Sequence, residues 1–354
     1  MTLNKQLPDI DIANAGNKRP TLKDIAYLSG LSVTTVSKAL NDATDISSKT
    51  KSRVQLIAKK VGYRPNRAGI RLRTGKTNVI SLILSTEVGA MGMTSPLVTG
   101  ISDIIGDTNY HLVVTPYDMN QDPLVPVKYV VETGAADGII LSRTEPHDPR
   151  VKYLHDAGFP FVTHGRTRMG IEHAFHDFDN TAYAKKSVKF LIDRGRKHIG
   201  LIPPPDTLTF AQHMNSGFFS ELDRHDLQEM PIRNISIDST FEEIAAEIER
   251  IMRSSHPLDG IVCGSANSAI SAIAGIEAAG KTTAADIDLV AKESFEFLSR
   301  FRPNLFVIQE NFRDAGQHLI KMVLGMIEGD RAEKHQFLEA PGPLGNTETC
   351  AKTA

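Results

Sequence analysis

Residues 21–41 read TLKDIAYLSGLSVTTVSKALN. Thr21 precedes a helical run, and Asp24 follows it three positions on, as in a capping box with an acid in the first turn. Gly30 supplies the residue that ends such a helix in a left-handed backbone conformation. Ser32 then caps a second helix over Val33–Leu40, whose Val36, Ala39 and Leu40 can pack on Ile25 and Ala26. Its other face carries Thr34, Thr35, Ser37 and Lys38, short donors and acceptors with one cation. A face of that kind can enter a major groove with its N-terminal residues at base edges. A third helix follows Ser47, with Val54, Ile57, Ala58 and Val61 at i, i+3, i+4 and i+7. The pattern predicts a helix-turn-helix, although helix spacing alone fits any small three-helix bundle with a polar surface.

Charge narrows the choice. Residues 18–76 hold 14 Lys and Arg against three Asp, a net +11, whereas residues 77–354 are net −12, so the whole chain is only −2. A basic head on an acidic body is suited to meeting a polyanion with the head while the body is repelled. Charge by itself does not separate DNA from RNA or an anionic membrane. The 354 residues, 41% apolar and 23% charged, exceed one ordinary core and predict two or three globular domains. Runs such as Val79–Leu84 are too short to span a bilayer. Residues 1–18 contain no signal-peptide core and are expected to be a disordered tail. Two distant cysteines, Cys263 and Cys350, exclude a disulfide scaffold and a Cys-cluster metal site, and the expected compartment is a reducing cytoplasm.

The run 21–41, then ISSKTKSRV at 46–54 and GYRPNRAGIRLRTGKTNVI at 62–80, together resemble the DNA-binding head of the lactose/purine-repressor (LacI-type) family, almost without gaps. The resemblance implies a DNA contact set of Thr21, Ser32, Val33, Thr34, Thr35, Ser37 and Lys38 in the helix-turn-helix (19–64). It adds Asn66, Arg67, Arg71, Leu72 and Arg73 in a hinge helix and linker (65–78). In that family the hinge becomes helical only on operator DNA, and two copies insert a leucine pair, here Leu72, into the minor groove. The chemistry is consistent: residues 66–72 are too few to nucleate a helix alone, and an apolar wedge beside arginines can open a base step. Gly69 departs from the usual alanine and disfavours the hinge helix by ~1 kcal/mol.

Beyond Lys76 the rhythm becomes strand–helix. Strands are expected at Val79–Ser85, His111–Tyr117, Asp137–Ser142, Pro160–His164, His198–Ile202, Ile232–Ile237, Gly260–Cys263, Ile287–Ala291 and Leu305–Glu310, with helices between, including Thr94–Tyr110. This predicts two doubly wound parallel sheets with a ligand cleft at the strand carboxyl ends. The order and spacing of Asp137–Ile140, Gly165-Arg166, Asp179-Asn180 and Leu191–Gly200 also resemble the family's body, a periplasmic-binding-protein-like α/β fold. That resemblance implies subdomains 79–177 with 310–332 and 178–309 with 333–341, crossings near Phe178, Glu310 and residues 330–335, and a tail at 342–354.

Carried over residue by residue, the family's effector pocket points to Asn267, whose usual Asp neighbour is Ser268. It also points to Met214, which stands where the family has arginine, with His213 beside it as a substitute donor. Lys292 and Glu293 fall on the family's aromatic-Asp pair, and Arg166 and Gln309 are further polar candidates. Met214 removes a cation, so the expected ligand is a neutral sugar. No phosphate loop, nucleophile elbow or His-Glu-x-x-His run is present, so no enzyme or cofactor is expected. His173, His176, Asp177 and Asp179 have no spacing that fixes a metal geometry. The reading is a cytoplasmic homodimeric DNA-binding transcription regulator, a repressor by resemblance, with operator DNA and a carbohydrate effector as partners and no membrane. The alternatives are a small-molecule-binding protein whose basic head contacts protein or membrane, and an enzyme.

Overall fold

A computed structural model describes residues 20–63, 71, 74–86, 88–118, 121–294, 298, 302 and 305–345. It divides into two compact units, residues 1–76 and 77–354.

In the first unit, α1 (Leu22–Ser29), α2 (Val33–Leu40) and α3 (Ser48–Lys60) close on Ile25, Val36, Ala39 and Val54, all fully buried, with Ile57 and Ala58. Their limits follow from local chemistry. The Thr21 N–H and hydroxyl both donate to Asp24 Oδ2, at 2.7 and 2.8 Å. Gly30 ends α1 at φ +67°, and the Ser32 and Ser47 hydroxyls accept from the Thr35 and Thr50 amides. In the linker, Arg71 and Thr74 are helical and exposed. Asn66, Arg67, Gly69, Leu72 and Arg73 lie outside the described residues.

The second unit holds two all-parallel sheets. The six-stranded sheet runs in the order β10-β5-β4-β3-β1-β2, from β1 (Val79–Ser85), β2 (His111–Tyr117), β3 (Gly138–Ser142), β4 (Phe161–His164), β5 (Ala174–Phe178) and β10 (Gln336–Glu339). The four-stranded sheet is β6 (Ile199–Ile202), β7 (Gly260–Cys263), β8 (Asp288–Glu293) and β9 (Phe306–Gln309), in that order. Each sheet is covered on both faces. On the first, α4 (Val88–Ile105) and α11 (Phe312–Glu328) pack on one side. Its other face carries α5 (Leu124–Thr133) and α6 (Pro149–Asp156). On the second, α7 (Asn180–Asp193) and α8 (Thr209–Arg224) face α9 (Phe241–Met252) and α10 (Ala266–Ala278) across the sheet. Strand parity builds these layers. Ile80, Leu82 and Leu84 enter one core and Ile83 the other, while Val290 and Ile308 enter the α7/α8 core against Leu289, Ala291 and Val307 on the α9/α10 side.

Four expectations are corrected. Residues Ile232–Ile237 form no strand: Met230 N–H bonds Ile199 O before the segment and Ile237 N–H bonds Pro203 O at its end, while Ser236 N–H turns to Ser239 Oγ. Residues 333–341 do not join the second sheet, because Gln336–Glu339 pairs with Phe175–Phe178 at the edge of the first. The chain returns to the second sheet later, where Gly345 bridges Val307 antiparallel, so the third crossing falls after Glu339 rather than at 330–335. Helix α4 begins earlier and ends at Ile105, where the Thr108 hydroxyl and amide take the Ile105 carbonyl. Strand β5 was not expected, because its mixed AFHDF sequence has no clean apolar alternation.

Candidate functional site

The head presents Ser32, Val33, Thr34 and Lys38 as exposed residues at the start and along one side of α2, with Thr35 and Ser37 half-buried. The hydroxyls of Thr21 and Ser32 are engaged in helix caps, and Thr35 Oγ1 lies 2.8 Å from Ser32 Oγ. Lys38 Nζ is held by Asp45 at 2.5 Å. Thr34 is therefore an exposed hydroxyl of α2 outside these caps, while Lys38 is already paired with a carboxylate.

In the body, a cleft with about 850 Å³ of open space between its walls, solvent included, lies between the two subdomains. It sits beyond the carboxyl ends of β3, β4, β5, β7 and β8, where open α/β sheets bind ligands. Four of the seven effector candidates line it: Asn267, the second residue of α10; His213 on α8; Arg166 after β4; and Lys292 on β8. The other three are corrected. Met214 is fully buried in the α7/α8 core with Phe178 and Phe218, so it replaces the family arginine with packing rather than with a ligand contact. Glu293 accepts from Leu298 N–H at 2.5 Å and from Gln309 Nε2 at 3.1 Å. Those bonds turn Glu293 and Gln309 toward one another and away from the cleft. The cause is strand parity: Glu293 and Gln309 share a side with Leu289, Ala291 and Val307, whereas Lys292 and Glu310 share the α7/α8 side. Ser268 is also buried, exchanging hydrogen bonds with Ser265 to start α10.

The walls contain cations that are already paired. Arg166 Nε donates to Asp177 Oδ2 at 2.6 Å. Lys292 Nζ bonds Glu310 Oε2 at 2.7 Å and Asn180 Oδ1 at 2.9 Å, beneath the rings of Phe178, Tyr183 and Phe210. Arg143 forms a two-point ion pair with Asp238. Burial lowers the pKa of His164, and burial with the nearby Arg166 and Arg168 lowers that of His213. Burial pushes Asp177 up to about 6 despite Arg166. Three buried polar atoms of lining residues, Arg143 Nε, Thr209 Oγ1 and His213 Nδ1, have no hydrogen-bond partner among the described residues.

Sequence reading did not place Arg143, Thr209 or Phe210 in the cleft, and it named Asp177, Asn180 and Glu310 only as a metal candidate, a family anchor and a crossing. The available signal was position: Arg143 directly follows β3 and Glu310 directly follows β9, where the strand carboxyl ends open. His173, a metal candidate, bonds Ile171 O and lies 3.1 Å from Thr163 Oγ1. His176 is stacked between His164 and Phe337, and no cluster of three metal-ligating side chains occurs among the described residues. No helix among them is long and apolar enough to cross a membrane.

A helix-turn-helix head joined to a cleft-bearing two-sheet body defines a DNA-binding transcription regulator. Residues 21–66 match the family of bacterial regulatory proteins, lacI family, and residues 188–345 match the periplasmic binding protein-like domain. The chain is 30% identical over 328 residues to the HTH-type transcriptional regulator AglR of Rhizobium meliloti (strain 1021), covering 88% of this chain and 90% of that one. It superposes on the Lac repressor dimer bound to operator and the anti-inducer ONPF with a TM-score of 0.81 at 21% identity, over 93% of this chain and 98% of that one. The CelR–cellobiose complex matches at 0.66 and 20% identity, over 92% and 98% of the two chains. The protein belongs to the lacI family of bacterial regulatory proteins.

Proposed function

We propose that this regulator is a homodimeric repressor acting in the cytoplasm, and that its operator affinity is set by a neutral polyhydroxylated ligand, a mono- or oligosaccharide, held in the cleft. One observation carries the choice of ligand. Each of the three cations in the described cleft wall is matched by a carboxylate, so an anionic ligand would meet no unneutralised positive charge unless it displaced Asp177, Glu310 or Asp238. A sugar hydroxyl both donates and accepts, which suits the mixed unpartnered set of Arg143 Nε, Thr209 Oγ1 and His213 Nδ1. Phe210 adds an apolar surface for a ring face. The similar CelR structure holds cellobiose and the similar Lac repressor structure is a dimer on operator, which supports the same arrangement here. Binding that favours one relative placement of the subdomains would alter the spacing of two heads in a dimer and so the operator affinity. Calorimetry with neutral sugars, phosphorylated sugars and nucleobases tests the ligand class. Neutral sugars should bind, whereas tight binding of a phosphorylated compound that is lost in Lys292→Ala would overturn it. Sedimentation of the full chain with and without a two-half-site duplex tests the dimer.

A further inference from the structure

We propose that Arg143 is an effector-binding residue that also clasps the two subdomains, so that one guanidinium reports ligand occupancy and holds the cleft shut. The proposal rests on the cleft being the effector site. Arg143 follows β3 in the first subdomain and its side chain is almost wholly buried. Its two terminal nitrogens reach across the cleft to both carboxylate oxygens of Asp238, in the loop leading to α9 of the second subdomain. Its Nε lies in the same cleft wall, buried and without a partner. A buried donor left unpaired has lost its water without replacement, so this atom calls for an acceptor that a ligand oxygen would supply.

The backbone aims this side chain. Arg143 is a non-glycine residue at φ +54°, a conformation that L residues adopt only when their surroundings impose it. Here the fully buried Arg150 imposes it, donating from Nη2 to the carbonyls of Ser142 and Arg143 at 3.2 and 3.0 Å. Asp148 fixes Arg150 in turn at 2.9 and 2.7 Å. Beside the clasp, the Thr209 amide donates across the cleft to the Thr144 carbonyl at 2.9 Å, so the subdomains already meet where Arg143 presents its free donor. The guanidinium fork suits both tasks, because two parallel donors take a carboxylate while the third points elsewhere.

The test uses the full-length protein, calorimetry with glucose, galactose, maltose, lactose and cellobiose, and the distance between spin labels placed on the two subdomains. Arg143→Lys keeps a charge facing Asp238 but removes Nε, and should weaken the best-binding sugar at least tenfold. Asp238→Asn keeps the shape and removes the clasp, and should lengthen the label distance in the sugar-free protein. The exchange Arg143→Asp with Asp238→Arg should recover the short distance without recovering affinity. Sugar affinity unchanged in Arg143→Lys, or fully restored in the exchange, would overturn the ligand contact. A label distance unchanged in Asp238→Asn would overturn the clasp. If the wild-type protein bound none of these sugars, the effector reading itself would fail and the proposal with it.

Discussion

Single side chains set how the head releases its cation. Lys38 is neutralised by Asp45 in an exposed pair, and such pairs contribute little to stability. Asp45→Asn should therefore leave the melting temperature nearly unchanged while tightening operator binding several-fold, by freeing Lys38 and removing a negative charge beside it. Lys38→Ala should lower the slope of log affinity against log salt by roughly 1 per monomer. Equal salt slopes for wild type and Lys38→Ala would place the lysine off the phosphate backbone. In the cleft, Asn267→Ala should weaken the effector about tenfold, since an amide partner lost from a closed site costs roughly 1–3 kcal/mol. Glu293→Ala should instead lower stability and leave affinity largely intact, because its carboxylate serves Leu298 and Gln309. Calorimetry beside thermal melts separates the two effects.

Glu339 gives a pH signature. Burial, with Glu310 and Asp314 nearby, pushes its pKa up to about 7, above the roughly 4.3 of an unfolded glutamate. The folded state thus holds the proton more tightly, and stability falls as pH rises from about 4 through 7. Nearby His176, pushed down to about 3 by burial and its histidine neighbours, works the other way: its contribution is lost as pH falls below about 6.5. Glu339→Gln should melt a few degrees higher than wild type above pH 7.5 and equally near pH 4. A melting curve for Glu339→Gln with the wild-type pH slope would contradict this assignment.

Among the elements, the α4–α11 pair shows how closely helices are brought together. A Cβ on Gly316 would lie 2.3 Å from Leu97 O, and one on Gly100 would lie 1.9 Å from Arg313 O. Both obstacles are backbone, which has no rotamer to change, so the helices themselves would have to separate. Gly316→Ala should destabilise the body by about 1–3 kcal/mol, read as a lower denaturation midpoint. Since α11 leads out of the second crossing, the same substitution tests whether effector affinity tolerates a shift of that helix. An unchanged midpoint would mean that the helix pair relaxes more freely than its contacts imply.

For the whole molecule, charge and architecture assign DNA affinity to the first unit. Residues 77–354, net −12, should show no measurable operator binding, while the full chain binds with a steep salt dependence. Operator binding by residues 77–354 as tight as that of the full chain would refute the division of labour.

Local chemistry written in the sequence determined much of this protein. The caps at Thr21, Ser32 and Ser47, the stop at Gly30 and the i, i+3, i+4 pattern of α3 each depend on residues a few positions apart, so the head was legible. The strand–helix rhythm likewise gave two parallel sheets, because apolar alternation and turn residues are local signals. The cleft was legible only in part. Asn267, His213 and Lys292 came from resemblance to the family and Arg166 as a further polar candidate, and all four line the cleft, but a one-residue choice of strand face decided Lys292 over Glu293 and Glu310 over Gln309, and parity emerges only once the register of β8 and β9 is fixed. Met214 could be seen as a missing cation, but its burial depends on packing with Phe178 and Phe218. The pairing of Arg143 with Asp238, 95 residues apart, and the placement of β10 against β5, more than 150 positions away, belong to tertiary structure alone. No local propensity encodes which distant partner a guanidinium or an edge strand will meet.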